Sequence, residues 1–257
     1  MRVKDITAAI ERFAPLSIQE GWDNSGLAVG SPEDAVHGVL VGFDCTKELI
    51  DEAVAEGCDL VVTHHPLIFH GIKKLCPGDP VSDAVIAAVR AGVAVYAAHT
   101  TADKVLAGVS GAMARRLGLE EIMILEDEGG YGLGAVGTLP EPLSGEEAAA
   151  LVKEKFGLQG LRASRPVGRI GRVAVCGGSG SSEIGAARAA GAQLYISADI
   201  SYHHFFTPEG FMVMDIGHFE SEVEIVDILS KVISENFPTF AVRKSGNLGR
   251  SNPVRYF

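Results

Sequence analysis

Cysteine is scarce. The 257 residues hold four, Cys45, Cys58, Cys76 and Cys176, and no two of them form a CxxC pair. A thiolate zinc cluster is therefore not expected. Cys58 and Cys176 sit in apolar, strand-like contexts and read as buried free thiols. Long apolar runs are missing too. The longest, Ala91 to Ala98, is far shorter than the roughly 20 residues that cross a bilayer, so no membrane span is expected. The N-terminal MRVKDITAAIERFAP acquires acidic residues at once and reads as an amphipathic helix, not a signal peptide. A reducing cytoplasm is the expected location. A basic excess is also lacking. Lys+Arg 22 against Asp+Glu 33 leaves a net charge of −11, which argues against a nucleic-acid coat protein. Only Lys153, Lys155, Arg162, Arg165, Arg169 and Arg172 gather positive charge. They read as a solvated surface, with a phosphate-attracting or acidic-subunit edge as the alternative.

What is present describes a soluble α/β protein. Hydrophobic residues make up 47% and charged residues 21%, enough apolar content for a large core and too much for global disorder. GVLVGF (from Gly38), DLVVT (from Asp59) and VAVYAA (from Val93) read as buried strands. Helices alternate with them: one capped by Thr46 and ended by Gly57, one over Val81–Arg90 ended by Gly92, and one over Val105–Leu117 ended by Gly118. That alternation predicts a largely parallel sheet with helices packed on it. EDEGGYGLG (Glu126 to Gly134) combines charge and glycine, and a domain boundary is placed beside it, giving lobes 1–127 and 128–257. LGAVGTL and RIGRVAV read as strands of the second lobe. Ser144 and Glu147 form a capping box on the helix between them.

The chain also repeats itself. VLVGFDCTKELIDEAVAEGCDLVVTHH from Val39 aligns without a gap on VAVCGGSGSSEIGAARAAGAQLYISAD from Val173. Val39 meets Val173, Ile50 meets Ile184, Gly57 meets Gly191 and Leu60 meets Leu194. The shared strand–helix–Gly–strand order indicates a duplication. One more strand follows each unit, then a histidine four residues before a carboxylate: His99 and Asp103 first, His218 and Glu222 second. On a helix that spacing puts both side chains on one face.

His64 and His65 follow the strand DLVVT directly, at the carboxyl end where ligands gather in open α/β sheets. Adjacent residues on an extended backbone point to opposite sides. Two ions side by side, each taking one histidine, therefore fit better than one ion holding both. Imidazole and carboxylate together suit zinc, iron, nickel or manganese, and two ions about 3.5–4 Å apart commonly activate water and bind oxyanions. Other features read more plainly. GGSGSS (Gly177 to Ser182) lacks a P-loop lysine and the full dinucleotide fingerprint, and reads as a capped turn, with a helix-terminal anion site as the alternative. Trp22, the single tryptophan, reads as a core anchor, with contact to a substrate base as the alternative. Asp23 or Asn24 suits a turn. His37, His70, His203 and His204 read as polar loop residues.

These segments together resemble a known family, the Nif-three-like dinuclear-metal proteins, also called GTP cyclohydrolase type-two homologues. GWDNSGLAVG is similar to its WDNxGLxVG segment, THHPLIFHGIKKL to its HHP motif and AAHTTAD to its HTxxD motif. YISADISYH, GHFESE and the C-terminal NPVRYF match three further segments. HTTAD stands where HTNLD is commoner, and SADISY replaces a TGD-like stretch. Neither departure touches a ligand type.

By that resemblance the metal ligands are His64, His65, Asp103, His218 and Glu222, holding two divalent ions per chain (iron, zinc, manganese or nickel). His99 borders the site as the catalytic proton carrier. Asp199 and His203 shape the pocket. The implied fold is two related α/β lobes with the metal pair in the cleft between them, and the C-terminal strand returning to the first lobe. The implied assembly is a toroidal homohexamer. The implied activity is metal-dependent hydrolysis of a purine nucleotide or related phosphate-bearing substrate, and the alternative is a non-catalytic metal-binding scaffold or metal-delivery protein.

Overall fold

The computed structural model describes residues 1–255; Tyr256 and Phe257 of the NPVRYF segment lie outside the described residues. In chain order the elements begin α1 (Val3–Phe13), β1 (Gly26–Val29), β2 (Gly38–Gly42), α2 (Lys47–Ala55), β3 (Leu60–Thr63), α3 (Pro80–Ala91), β4 (Ala94–Ala97) and α4 (Thr100–Asp103). They continue α5 (Val109–Arg116), β5 (Glu120–Ile124), β6 (Ala135–Leu143), α6 (Gly145–Phe156), β7 (Arg162–Ala163), β8 (Ile170–Ser179) and α7 (Ile184–Ala189). The last are β9 (Leu194–Ala198), β10 (Met212–Asp215), α8 (His218–Glu222), α9 (Ile225–Asn236), β11 (Ala241–Lys244) and α10 (Leu248–Ser251). The fold is mixed α/β, with two sheets and flanking helices.

Two compact units result. One comprises Met1–Ala102 with Ile225–Arg255, the other Asp103–Glu224. The first carries a five-stranded sheet in the order β1-β4-β3-β2-β11. Its four inner and returning strands are parallel, and only β1 runs antiparallel, on β4. The C-terminal strand β11 pairs with β2, Val242 opposite Val39. All residues of β2, β3 and β4 are buried, which is why these strands read as unbroken apolar runs rather than alternating ones. Leu40, Ile50, Val61, Ala84 and Val95 form the core beneath them. Local chemistry sets the helix ends. The Thr46 hydroxyl accepts from the Leu49 amide, the Asp79 carboxylate accepts from the Ser82 amide with Pro80 in the first helical position, and Gly92 closes α3 at φ +68°.

The second unit carries a six-stranded sheet in the order β5-β6-β8-β9-β10-β7. Here the expectation of a largely parallel sheet gives way. β8, β9 and β10 are parallel, but β5, β6 and β7 join antiparallel. The glycine-rich stretch after Glu126, read from the sequence as lying beside a boundary at 127, is instead the turn between the antiparallel strands β5 and β6. The Glu126 amide donates to Leu133 O and the Glu128 amide to Tyr131 O. Helix α5 starts only at Val109, after Gly108, not at Val105. Ser144 and Glu147 close the capping box on α6, and Gly157 ends it at φ +65°.

The two halves of the sequence repeat also match in register. Val39 pairs with Leu60 across β2 and β3, and Val173 pairs with Leu194 across β8 and β9. These are the very residues that the sequence alignment superposes. In each unit a third parallel strand follows, β4 or β10, and each leads into a short helix, α4 or α8.

Candidate metal centre

In the first unit three histidines converge at the carboxyl ends of β3 and β4. One ring nitrogen from each of His64, His65 and His99 lies within 4.8 Å of the others. The backbone bends immediately after β3, and the amides of both His64 and His65 donate to Phe43 O at 3.2 Å. The two rings therefore do not diverge as an extended backbone would require. Their centroids are 4.9 Å apart, with Phe43 packed against both. The Thr63 hydroxyl steadies the bend by donating to His65 O at 2.8 Å.

Each ring in this cluster is oriented by an acceptor at Nδ1. His64 is fully buried, and its Nδ1 donates to Ala98 O at 2.9 Å. His65 Nδ1 donates to Asp44 Oδ1 and His99 Nδ1 to Asp23 Oδ1, each at 2.7 Å. A carbonyl or an ionised carboxylate can only accept, so Nδ1 carries the proton and Nε2 presents a lone pair in all three. That is the arrangement in which metal-binding histidines are normally held.

Asp23, which the sequence suggested only as a turn former, orients His99. Its side chain is wholly buried. It accepts from His99 Nδ1, from Ser25 Oγ, and from both the amide and hydroxyl of Thr100. Burial alone would push its carboxyl up. The hydrogen bonds from His99, Thr100 and Ser25 outweigh burial and hold it well below the usual carboxylate range. The clue in the sequence was the position of Asp23 within WDNSG. Asp44, which orients His65, gave no comparable signal.

In the second unit the donors are His218, Glu222 and Asp103. Gly217 at φ +91° turns the chain out of β10, and α8 begins at His218. Four residues on, Glu222 lies on the same face, its Oε2 3.0 Å from His218 Nε2. His218 Nδ1 faces Asp199 Oδ2 at 2.7 Å, so the ring is held between two carboxylates, Asp199 at Nδ1 and Glu222 at Nε2. Asp199 is thus an orienting residue, held in a left-handed backbone at φ +51°. Glu222 is almost fully buried, and a carboxylate oxygen of Asp103 lies within 4.8 Å of one of Glu222. Two carboxylates that close repel one another unless a proton or a cation offsets the charge.

The GGSGSS segment is not primarily a capped turn. Gly177 and Gly178 end β8 against Glu222. A Cβ on Gly178 would sit 2.2 Å from Glu222 Oε1 and 3.3 Å from His218 Cε1, and the residue has φ +59°. The Ser221 hydroxyl accepts from the Gly178 amide at 3.0 Å and donates to His218 O at 2.7 Å. The glycine therefore makes room for the acidic donor and is tied to the helix that carries it.

The donor chemistry of each unit fits divalent metal ions. One offers three imidazoles that present Nε2, the other one imidazole and two carboxylates. Trp22 departs from the core-anchor reading. It is 60% exposed and faces Phe69 and His99. Cys58 and Cys176 are buried free thiols as expected.

A family model described as Duf34/NIF3 (NGG1p interacting factor 3) matches residues 1–246. A Clostridium acetobutylicum protein named "GTP cyclohydrolase 1 type 2 homolog" is 34% identical over 238 residues, 90% of this chain and 89% of its own length. Among solved structures, the Staphylococcus aureus hypothetical protein SA1388 superposes with a TM-score of 0.92 at 24% identity, over 100% of this chain and 99% of its own. A Bacillus cereus protein related to NIF3 does so at 0.91 and 20% identity, over 100% of this chain and 99% of its own. These two likenesses show the fold.

Proposed function

The chain belongs to the Duf34/NIF3 family, and from that premise we propose that it is a metal-dependent hydrolase of a purine nucleotide or a related phosphate-bearing substrate. In this reading His64, His65, Asp103, His218 and Glu222 would hold two divalent ions. The observation that carries this reading is that Nδ1 of His64, His65 and His218 each faces an oxygen acceptor, the arrangement in which metal-binding histidines are held. The names of the relatives support the substrate class.

When bound, paired ions of this kind polarise an oxyanion and make water a nucleophile near neutral pH. The chain's own residues supply the rest. Asp44, Asp199 and the Ala98 carbonyl fix ring orientation. His99, its Nδ1–H donating to Asp23, would use Nε2 as general base. His99 then acts beside the ions rather than on them, although the same nitrogen would also suit an ion.

The test is turnover of a nucleotide panel by purified protein of known metal content. His65→Ala should lose both metal and turnover. His99→Ala should keep the metal and lose turnover by about 100-fold or more. A metal-loaded wild-type protein that turns over no nucleotide would contradict the hydrolase reading and favour a metal-binding scaffold or delivery role.

A further inference from the structure

The proposed hydrolase site has an aromatic neighbour that metal binding does not explain. Trp22 and Phe69 are 60% and 40% exposed. Their ring centroids lie 6.0 Å apart, and each lies about as close to the His99 ring, at 6.1 and 6.0 Å. Exposed large rings gathered in one patch are costly in water and usually mark a binding surface.

The patch is built, not incidental. Asn24 Nδ2 donates to Ile68 O at 2.6 Å and ties the loop that carries Trp22 to the loop that carries Phe69. The residue between Trp22 and Asn24 is Asp23, whose carboxylate is pinned by His99, Ser25 and Thr100. Trp22 is therefore displayed from a fixed turn whose other side orients His99. The Trp22 and Phe69 planes are inclined by 59°, so the two rings do not stack on one another. An indole this exposed can take a flat ring by stacking, which tolerates many bases because every base has a π-face.

We infer that Trp22, with Phe69 at its edge, stacks the planar heteroaromatic ring of the substrate and so selects ring-bearing ligands beside His99. This rests on the hydrolase reading for its substrate class but not for its test. A ligand ring on Trp22 would adjoin the imidazole that moves the proton, and its phosphate-bearing end would remain free to face the metal donors.

The chain has one tryptophan, so its emission reports this residue alone. Protein with its metal content measured is titrated with GMP, AMP and the ring-free ribose 5-phosphate, with excitation at 295 nm. The expected result is saturable quenching by the two nucleotides and none by ribose 5-phosphate. Calorimetry should show Trp22→Ala weakening nucleotide binding by about tenfold or more, Trp22→Phe weakening it less, and Phe69→Ala lying between, all with wild-type metal content. Equal effects of ribose 5-phosphate and nucleotides, or unchanged affinity in Trp22→Ala, would overturn the inference. So would emission that shifts with protein concentration and not with nucleotide, because a second copy would then cover the patch. Loss of the hydrolase reading looks different: nucleotides would still quench Trp22, but no turnover would follow.

Discussion

The buried Asp23 carboxylate accepts a hydrogen bond from His99 Nδ1 at 2.7 Å and also accepts from the Thr100 amide and hydroxyl. One acidic side chain thus fixes the tautomer of a site histidine and caps the turn that leads toward Asp103. Asp23→Asn should keep the fold but release control of the tautomer, lowering turnover by about 10–100-fold. Asp23→Ala should go further and destabilise by about 2–3 kcal/mol, because several buried donors lose a charged acceptor. Urea denaturation of both variants distinguishes the two effects.

The same carboxylate gives the protein an acid sensitivity with a definite sign. Its folded-state pKa is depressed, so its contribution to stability is complete above the unfolded value of about 4 and is lost as pH falls below that. The wild type should lose stability between about pH 4 and pH 2, and Asp23→Asn should lose less over that interval. Equal losses in chemical denaturation series would contradict the assignment.

Gly178→Ala should act on metal through geometry alone. The added methyl would meet Glu222 Oε1 at 2.2 Å, and the backbone at φ +59° costs an L-residue about 1–2 kcal/mol. A modestly destabilised, folded protein with reduced metal affinity is expected, by thermal melt and elemental analysis. Wild-type affinity would show that Gly178 is not needed to seat Glu222.

Thiol reactivity should be confined to one residue. Burial, reinforced by the Asp44 charge, pushes Cys45 up to about 12. Burial likewise raises Cys58 and Cys176, while Cys76 is exposed. Iodoacetamide at pH 8 should modify Cys76 alone in the native protein and all four thiols after unfolding. Mass spectrometry of the adducts reads this directly.

Chelation should leave the fold standing. Separate apolar clusters, one around Leu40 and Val95 and another around Ile170 and Ile196, hold each sheet without help from the metal donors. Far-UV circular dichroism should be unchanged after metal removal. Protons compete with ions for the Nε2 lone pairs, so occupancy should fall in mild acid before helical signal does.

Much of the fold was legible because its signals are local. The continuous apolar runs of β2, β3 and β4 announce buried parallel strands, and Thr46, Ser144 and Gly92 mark helix ends by their own chemistry. The duplication was legible because Val39/Leu60 and Val173/Leu194 obey one register. Antiparallel pairing of β5 with β6 was not, since a glycine-rich hairpin turn and a domain boundary share a composition. The histidine pair misled for a similar reason. Its divergence assumed an extended backbone, and the bend that brings the rings together depends on the carbonyl of Phe43, distant in sequence. Asp44 and Asp199 orient histidines across loops, so no spacing rule exposes them. Trp22 read as core because large rings usually are, and only its tertiary position beside His99 shows otherwise.

Metal stoichiometry by elemental analysis of protein purified without chelator tests the central claim most directly. Two divalent ions per chain are predicted for the wild type, and fewer than two for both Asp103→Ala and Glu222→Ala with the fold intact. A wild type holding at most one ion, or either variant retaining two tightly bound ions, would contradict a dinuclear centre built on these carboxylates.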